Sequence, residues 1–298
     1  MGGLLLGVGL RVADLVAHLL PRVAAYALAD LAGRSWHRLA PGRRALVADN
    51  LARVCAATDR PTTGRAFRQL VRRAFVEHAR YYLEVLRIPH YSVAQIEEMV
   101  SADDWERWKS FMSEGAVAAT LHFGNPEPYG SFLAANGLHA VVPVEEIRPK
   151  ALFDFLLARR ATGRGVASIP ISRARRPMIE ALRNGGIVAV VADRDIAGNG
   201  HRMTFFGAPA RLPIGPASLA LMTGRPLMAA ACWRVGQERF RAKGWLVEAQ
   251  LSGDRTADVA ALTEAMGRGF EQAIATAPEQ WFGSFQKIWP DGEAPAHD

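Results

Sequence analysis

The chain has 298 residues, of which 50% are hydrophobic and 22% are charged. This composition excludes a disordered or fibrous polypeptide, and the length suits one large domain or two modest ones. Basic residues exceed acidic ones by 36 to 29, a net charge of +7, and all but four of the basic residues are arginines. Arginine pairs well with phosphates and carboxylates, so the surplus favours an anionic partner: nucleic acid, an anionic lipid headgroup or a phosphorylated substrate. A GC-rich genome produces the same bias, and charge alone does not decide among these interpretations.

The two cysteines, Cys55 and Cys232, lie far apart and belong to no CxxC or Cys/His cluster. This pattern disfavours a disulfide scaffold and a cysteine-ligated zinc site, and a reducing cytoplasm fits it best. Neither cysteine has neighbours that would activate a thiol, and the sequence has no GxSxG motif. The sequence therefore offers no evident nucleophile for a covalent intermediate.

The first 20 residues are strongly apolar, but Arg11, Asp14 and His18 interrupt them, and Arg22 follows. No run of about 18 uncharged residues accumulates, so a membrane-spanning helix is not expected. The stretch also lacks the leading positive charge and the small-residue cleavage site of a secretory signal. Two interpretations remain, a helix that lies in a membrane interface and an ordinary buried amphipathic helix.

The hydrophobic pattern of the sequence changes at about residue 112. Residues 1–112 are predicted to be helical throughout, because apolar residues recur at helical spacing in stretches such as 67–86. Beyond them, short apolar runs predict strands that alternate with amphipathic helices. The predicted strands are 116–121, 139–144, 166–169, 187–192, 226–233 and 245–249, and the predicted helices are 126–135, 150–162, 176–184, 216–223 and 257–277. The fold class expected is α/β: a mostly parallel central sheet flanked by helices on both faces, in a single domain 1–298 that comprises a helical amino-terminal extension (residues 1–112) and an α/β core (residues 113–298).

The end of the first of these strands is the most informative position. The apolar run ends at His122, and Gly124, Asn125 and Pro126 then signal a tight turn, a helix cap and a first helical position. Reactive groups of α/β folds gather where strands end, so His122 is a candidate general base and Glu127, five residues on, a candidate carboxylate partner. The other seven histidines lack such a setting and are interpreted as structural.

A second strand end supplies acidic residues. Asp193 and Asp195 follow the apolar run 187–192 and could face one cleft, where one acid would orient His122 and the other would pair with Arg194 or another arginine. A metal site is disfavoured, because no second histidine lies at ligand spacing. The Gly- and Pro-rich segment 203–226 that follows contains Arg211 and opens a helix at Pro216, an arrangement that could bind an anion or could be structural only.

Several blocks together resemble the bacterial lysophospholipid acyltransferase superfamily, in the branch of the late lipid A acyltransferases and the actinobacterial phosphatidylinositol mannoside acyltransferases. They are HFGNPE at 122–127, RPKALFDFLLARR at 148–160, ADRD at 192–195, FFGAPARLPIGPASLALMTGRP at 205–226 and NLARV at 50–54. The third and fourth blocks are the most distinctive, and they look more like those of the mannoside acyltransferases. One departure is Pro126, where many members of this family carry Trp, and it bears on the acceptor pocket.

The resemblance implies a glycerol-3-phosphate acyltransferase-like fold and a set of site residues. It makes His122 the catalytic base, Glu127 its motif partner and Asp193 an acid able to orient the histidine. Arg160 is implied as a conformational or substrate-positioning partner. Further residues of the matching blocks are expected to bind substrate: Arg194, Asp195, Phe206, Gly207, Arg211, Gly215 and Pro216.

The implied reaction is transfer of a fatty acyl group from acyl-CoA, as co-substrate and without a cofactor or metal, to a hydroxyl of an anionic membrane glycolipid. A phosphatidylinositol mannoside is the acceptor expected; a lipid A-type or other phospholipid acceptor, and hydrolysis of a thioester or phosphoester at the same site, are the alternatives. Acyl carrier protein as donor and the oligomeric state are left open. The expected location is peripheral, on the membrane surface at the cytoplasmic face of the cell membrane, and a nucleic-acid partner is not expected because it would leave His122 and Glu127 without a role.

Overall fold

The computed structural model of the chain describes residues 2–160, 166–196 and 198–289, and the side chains of these residues apart from 2–5 and 160. The strands are β1 (Val100–Ala102), β2 (Ala116–Thr120), β3 (Ala140–Val144), β4 (Val166–Pro170), β5 (Ile187–Val191), β6 (His201–Phe205), β7 (Ala208–Leu212), β8 (Leu227–Gly236) and β9 (Arg239–Val247). The helices are α1 (Gly2–Leu19), α2 (Arg22–Leu39), α3 (Pro41–Ala57), α4 (Gly64–Arg87), α5 (Val93–Met99), α6 (Trp105–Ser113), α7 (Pro126–Ala135), α8 (Lys150–Arg160), α9 (Arg175–Arg183), α10 (Gly215–Thr223) and α11 (Arg255–Thr276).

Seven strands form one sheet, in the order β1-β9-β8-β2-β5-β3-β4. Neighbouring strands are parallel except for the antiparallel pair β8 and β9. The central strand β2 reads Ala-Val-Ala-Ala-Thr and buries all of its apolar residues, as expected of a strand with helices packed on both faces. The predicted α/β class with a mostly parallel central sheet is confirmed.

The amino-terminal helices pack beside this sheet. Helices α2 and α4 approach so closely that a Cβ atom on Gly33 would lie 2.6 Å from the Cα of Val76. Helices α3 and α4 share an apolar core with Phe282 and Phe285 from the carboxyl-terminal region of the chain. The prediction of a helical amino-terminal extension is confirmed with one correction. Residues 100–102 form β1 and pair with residues 240–242 of β9, because three residues are too few to show a strand period in the sequence.

Residues 203–212, predicted to lie in a Gly- and Pro-rich loop, belong to an antiparallel hairpin of β6 and β7, which begins at His201. Its two turn residues, Phe206 and Gly207, have φ values of 48° and 73°, as a two-residue hairpin turn with matching twist requires. Phenylalanine is unusual in this left-handed region, which is why the sequence did not predict the turn. Strand β9 begins at Arg239, before the predicted residue 245. The sequence did not predict this earlier start because exposed basic residues alternate with the buried Phe240 and Ala242, so no continuous apolar run is present.

Candidate active site

The site is built where two adjacent parallel strands end. Strands β2 and β5 run in register, with Thr120 opposite Val191. His122 and Asp193 each follow two residues later, so the register alone brings both to one edge of the sheet. The imidazole Nδ1 of His122 lies 2.7 Å from Oδ1 of Asp193. The structure thus joins two residues that are 71 positions apart in the sequence.

Burial differs sharply between the two partners. Asp193 is fully buried, at 0% exposure, whereas the His122 side chain is 39% exposed. Burial by itself would raise the pKa of Asp193, but the facing charge of His122, the hydrogen bonds from His122 and the indole of Trp281 together hold that pKa below its ordinary value. An ionised Asp193 accepts a hydrogen bond from Nδ1–H, which leaves the lone pair of His122 on Nε2. The exposed edge of the ring can therefore accept a proton.

The turn after His122 requires glycine. Gly124 has a φ of 58°, and a Cβ atom at this position would lie 2.1 Å from the carbonyl oxygen of Cys232. Asn125 then caps α7, because its side-chain oxygen accepts the Glu127 N–H at 3.0 Å. Pro126 is the first residue of α7, a position that suits proline because its missing N–H would have no helical partner there.

Asn125 also connects this turn to a buried ionic cluster. Its Nδ2 donates to Glu84 at 3.0 Å, and Glu84 accepts further bonds from Tyr26 at 2.6 Å and from Arg234 at 2.5 and 2.8 Å. Arg234 also binds Glu77. Burial raises the pKa of the Glu84 carboxyl, while the hydrogen bonds from Tyr26 and Asn125 lower it. Helices α2 and α4 are thereby linked to the cap of α7.

A segment near the carboxyl terminus completes the site. Residues 280–286, which we call the strap, pass over the His122 backbone: Phe282 N–H donates to the His122 carbonyl at 2.6 Å, and Gly124 N–H donates to the Gln280 carbonyl at 2.8 Å. The indole Nε1 of Trp281 donates to Oδ2 of Asp193 at 2.9 Å. Asn50 of α3 donates to the carbonyls of Ser284 and Gln286 at 2.7 and 2.8 Å. The NLARV block thus holds the strap.

Sequence reasoning missed Trp281, Asn50 and Glu84 as members of the site. Their contacts with the motif residues span long stretches of chain, and no local spacing records them. A weak, general signal existed for Trp281, because the N–H of a buried indole needs a hydrogen-bond acceptor.

The structure brings some of the predicted site residues to His122 and places others elsewhere. The structure places Asp193, rather than Glu127, against Nδ1 of His122, whereas Glu127 lies in the first turn of α7. The catalytic roles of these residues stay predictions. Arg160 is the last residue of α8, and its side chain lies outside the described residues. Arg194 lies 3.9 Å from Glu145, the residue after β3.

The remaining predicted residues belong to the loop and hairpin beyond Asp193. Asp195 accepts the N–H groups of Gly198 and Gly200 at 3.0 and 2.8 Å, and Arg211 donates to the Gly200 carbonyl at 3.1 Å. These bonds shape the loop and its junction with the hairpin. Phe206 and Gly207 form the hairpin turn, and Phe206 packs on Trp281 with ring centroids 6.4 Å apart.

Gly215 and Pro216 form the first turn of α10, which packs on β2 and α11. Substrate binding by these residues and by those of the hairpin and loop stays a prediction. Within the described residues, no group of three or more His, Cys, Asp or Glu side chains could hold a metal ion.

The chain is similar to known proteins over most of its length. The model of the bacterial lipid A biosynthesis acyltransferase family matches residues 6–289. The chain belongs to this family. The phosphatidylinositol mannoside acyltransferase of Mycobacterium tuberculosis (strain CDC 1551 / Oshkosh) is 33% identical over 213 residues, which cover 68% of this chain and 65% of that protein. The protein of the same name from Mycolicibacterium smegmatis is 30% identical over 219 residues, covering 71% of this chain and 70% of the relative.

The match to the Mycobacterium tuberculosis relative spans a little less than two thirds of that relative's length. Family membership confirms the resemblance carried by the motif blocks, and the matched region begins at residue 6, well before the earliest of these blocks at 50–54. None of the helices within the described residues of the chain is long and apolar enough to cross a membrane.

Proposed function

We propose that the protein is an acyltransferase that moves a fatty acyl group from acyl-CoA to a hydroxyl of an anionic membrane glycolipid, a phosphatidylinositol mannoside. The observation that carries this proposal is the pair formed by His122 and Asp193 at the carboxyl edge of the sheet. Membership of the lipid A acyltransferase family supports the reaction class. The names of the relatives from Mycobacterium tuberculosis and Mycolicibacterium smegmatis support the acceptor.

His122 acts as a general base in a direct transfer. Its Nε2 takes the proton from the acceptor hydroxyl as the oxygen attacks the thioester carbonyl. The tetrahedral adduct then collapses with cleavage of the carbon–sulfur bond, and the proton passes to the departing CoA thiolate. Proton transfer by a positioned base contributes about 10²- to 10⁴-fold to such a rate, and Asp193 stabilises the imidazolium formed on the way.

A covalent acyl-cysteine does not fit the two thiols of the chain. Cys55 and Cys232 are both buried. Burial raises the pKa of both thiols, whereas a nucleophilic cysteine needs a lowered one. This supports attack by the acceptor hydroxyl itself, with donor and acceptor bound together.

The surface of α1 and α2 supports membrane association. Apolar side chains on α1 recur at helical spacing and are exposed, Leu15 to 55%. Arg11 lies on the same helix, and Arg22 begins α2. An apolar face with a cationic border is typical of helices that lie in a membrane interface. This supports a peripheral position on the cytoplasmic face of the cell membrane, where acyl-CoA is available. The exposed apolar side chains of the two helices are Val8, Val12, Leu15, Val16, Leu19, Val23, Leu28, Leu31 and Leu39.

The acceptor is tested by mass spectrometry of the products. The whole protein is given labelled acyl-CoA and vesicles that contain a phosphatidylinositol mannoside, a lipid A precursor, a lysophospholipid or no acceptor. The proposal predicts an acylated mannoside and CoA release that depends on the mannoside. Equal release of CoA without any acceptor would instead identify a thioester hydrolase. Faster acylation of the lipid A precursor or of the lysophospholipid would overturn the assigned acceptor.

A further inference from the structure

We infer that Trp281 is a positioning residue for the reaction, because its indole N–H fixes the orientation of the Asp193 carboxylate that orients His122. The inference rests on the proposed function of His122 as the general base. It adds a third group to the His122–Asp193 pair, supplied by the strap.

The two oxygens of Asp193 have separate partners. Oδ1 faces Nδ1 of His122 at 2.7 Å, and Oδ2 accepts the indole N–H of Trp281 at 2.9 Å. The backbone N–H of His122 also donates to this carboxylate, so Trp281 supplies the donor that does not belong to His122. A donor on each oxygen fixes the plane of the carboxylate about its Cβ–Cγ bond. The Trp281 bond therefore keeps Oδ1 aimed at Nδ1, which fixes the tautomer that leaves the lone pair on Nε2.

Packing around Trp281 indicates that this bond is built to one geometry. The indole is fully buried, at 0% exposure. A Cβ atom on Gly283 would lie 2.4 Å from the indole Nε1 and 2.5 Å from Oδ2 of Asp193, so only glycine leaves room for the bond. Phe205 and Phe206 of the hairpin pack against the indole with centroid distances of 6.2 and 6.4 Å.

The strap that carries Trp281 is itself anchored. Asn50 of α3 binds two of its carbonyls, and Phe123 and Trp281 form an antiparallel bridge. The strap thus holds the His122 backbone and the Asp193 side chain at the same time. Two of the motif blocks therefore support Trp281: the FFG block packs against its indole, and the NLARV block anchors the strap through Asn50.

The test compares two tryptophans of the same aromatic cluster. Trp281→Phe removes the donor to Asp193. Trp289→Phe removes another buried indole N–H, which donates to the Phe205 carbonyl at 3.1 Å, and serves as the matched control. We expect Trp281→Phe to lower kcat about 10- to 100-fold, with KM for acyl-CoA and acceptor unchanged, by analogy with other partners that orient a functional histidine indirectly. Trp289→Phe is expected to keep kcat within about twofold of the wild-type value.

A double-mutant cycle separates positioning from a merely structural role. In the Asp193→Ala background there is no carboxylate to orient, so Trp281→Phe should change kcat by less than about twofold. An equal loss in both backgrounds would mean that the indole acts only through packing, and the inference would be wrong. If Trp281→Phe keeps full activity while His122→Ala loses it, this inference fails and the proposed function stands. If His122→Ala keeps its activity, the proposed function itself fails.

Discussion

The buried pair of Arg234 and Glu84 makes the substitution Arg234→Met a sharp test of how the amino-terminal helices support the site. Glu84 is 1% exposed and Arg234 is 6% exposed, and they are joined by two hydrogen bonds of 2.5 and 2.8 Å. Removing one member of a buried pair costs about 3 to 5 kcal/mol, because the other charge stays buried without compensation. The free energy of unfolding should fall by this amount, measured by urea denaturation with tryptophan fluorescence.

The loss should also depend on pH. Burial raises the pKa of Glu84 even with Arg234 in place, and removing the facing guanidinium charge should raise it further. In the variant this carboxyl therefore binds a proton more readily in the folded than in the unfolded protein. A group with a raised folded pKa makes stability fall as pH rises, by up to about 1.4 kcal/mol per pH unit for one proton. The loss in free energy of unfolding caused by Arg234→Met is therefore expected to be smaller near pH 5 than near pH 8.

Two further variants isolate the cause. Arg241→Met removes an arginine that makes the same paired contact with Asp103, at 2.8 and 2.9 Å, but on the surface, and it should destabilise the protein much less. Glu84→Gln in the Arg234→Met background removes the uncompensated charge and should recover more than about 1 kcal/mol. A loss below about 1 kcal/mol for Arg234→Met, or one no larger than that for Arg241→Met, would refute the reasoning.

Three other predictions concern the turn, the surface and the acid. Gly124→Ala should lower both the unfolding temperature and kcat far more than Gly137→Ala does, as measured in thermal-melt and activity assays. Both glycines have positive φ values, but an added Cβ atom would collide with backbone at Gly124 and with nothing at Gly137. Equal effects of the two substitutions would contradict this clash. Leu15→Glu should weaken sedimentation with anionic vesicles at an unchanged melting temperature, whereas Leu251→Glu, also at an exposed leucine, should not; parallel loss in both would argue against the α1 surface. Asp193→Asn should lower kcat about 10²- to 10⁴-fold in steady-state assays, no more than His122→Ala, by destabilising the required His122 tautomer. Because the folded pKa of Asp193 is lowered, the wild-type protein should be more stable than Asp193→Asn above about pH 4, and this difference in stability should shrink as the pH falls further. A difference that persists in acid would contradict this.

Particular residues show how far sequence reasoning reaches in this protein. His122 could be found because an apolar strand, a glycine turn and a helix cap follow one another within a few residues. Asp193 could be found because it follows directly after the apolar run that forms β5. Their contact depends on β2 and β5 being neighbours, which no local pattern shows. The family resemblance implied only that Asp193 is an acid able to orient His122.

Trp281 and Glu84 could not be found in this way. Trp281 reaches Asp193 across 88 positions and Glu84 reaches Asn125 across 41. Such contacts depend on how the strap and α4 pack on the sheet, and a local pattern of apolar and polar residues contains no record of it. The hairpin of β6 and β7 was missed for a different reason, because its turn places a phenylalanine where glycine or asparagine is usual.

The central claim is that His122 is the base that activates the acceptor hydroxyl, and His122→Ala tests it most directly. The initial rate of acyl transfer from labelled acyl-CoA to a phosphatidylinositol mannoside is measured for wild type, His122→Ala and the surface variant His139→Ala, with circular dichroism to confirm folding. We predict a loss of about 10²- to 10⁴-fold for His122→Ala and none for His139→Ala. A folded His122→Ala protein that retains most of the wild-type rate would contradict the account.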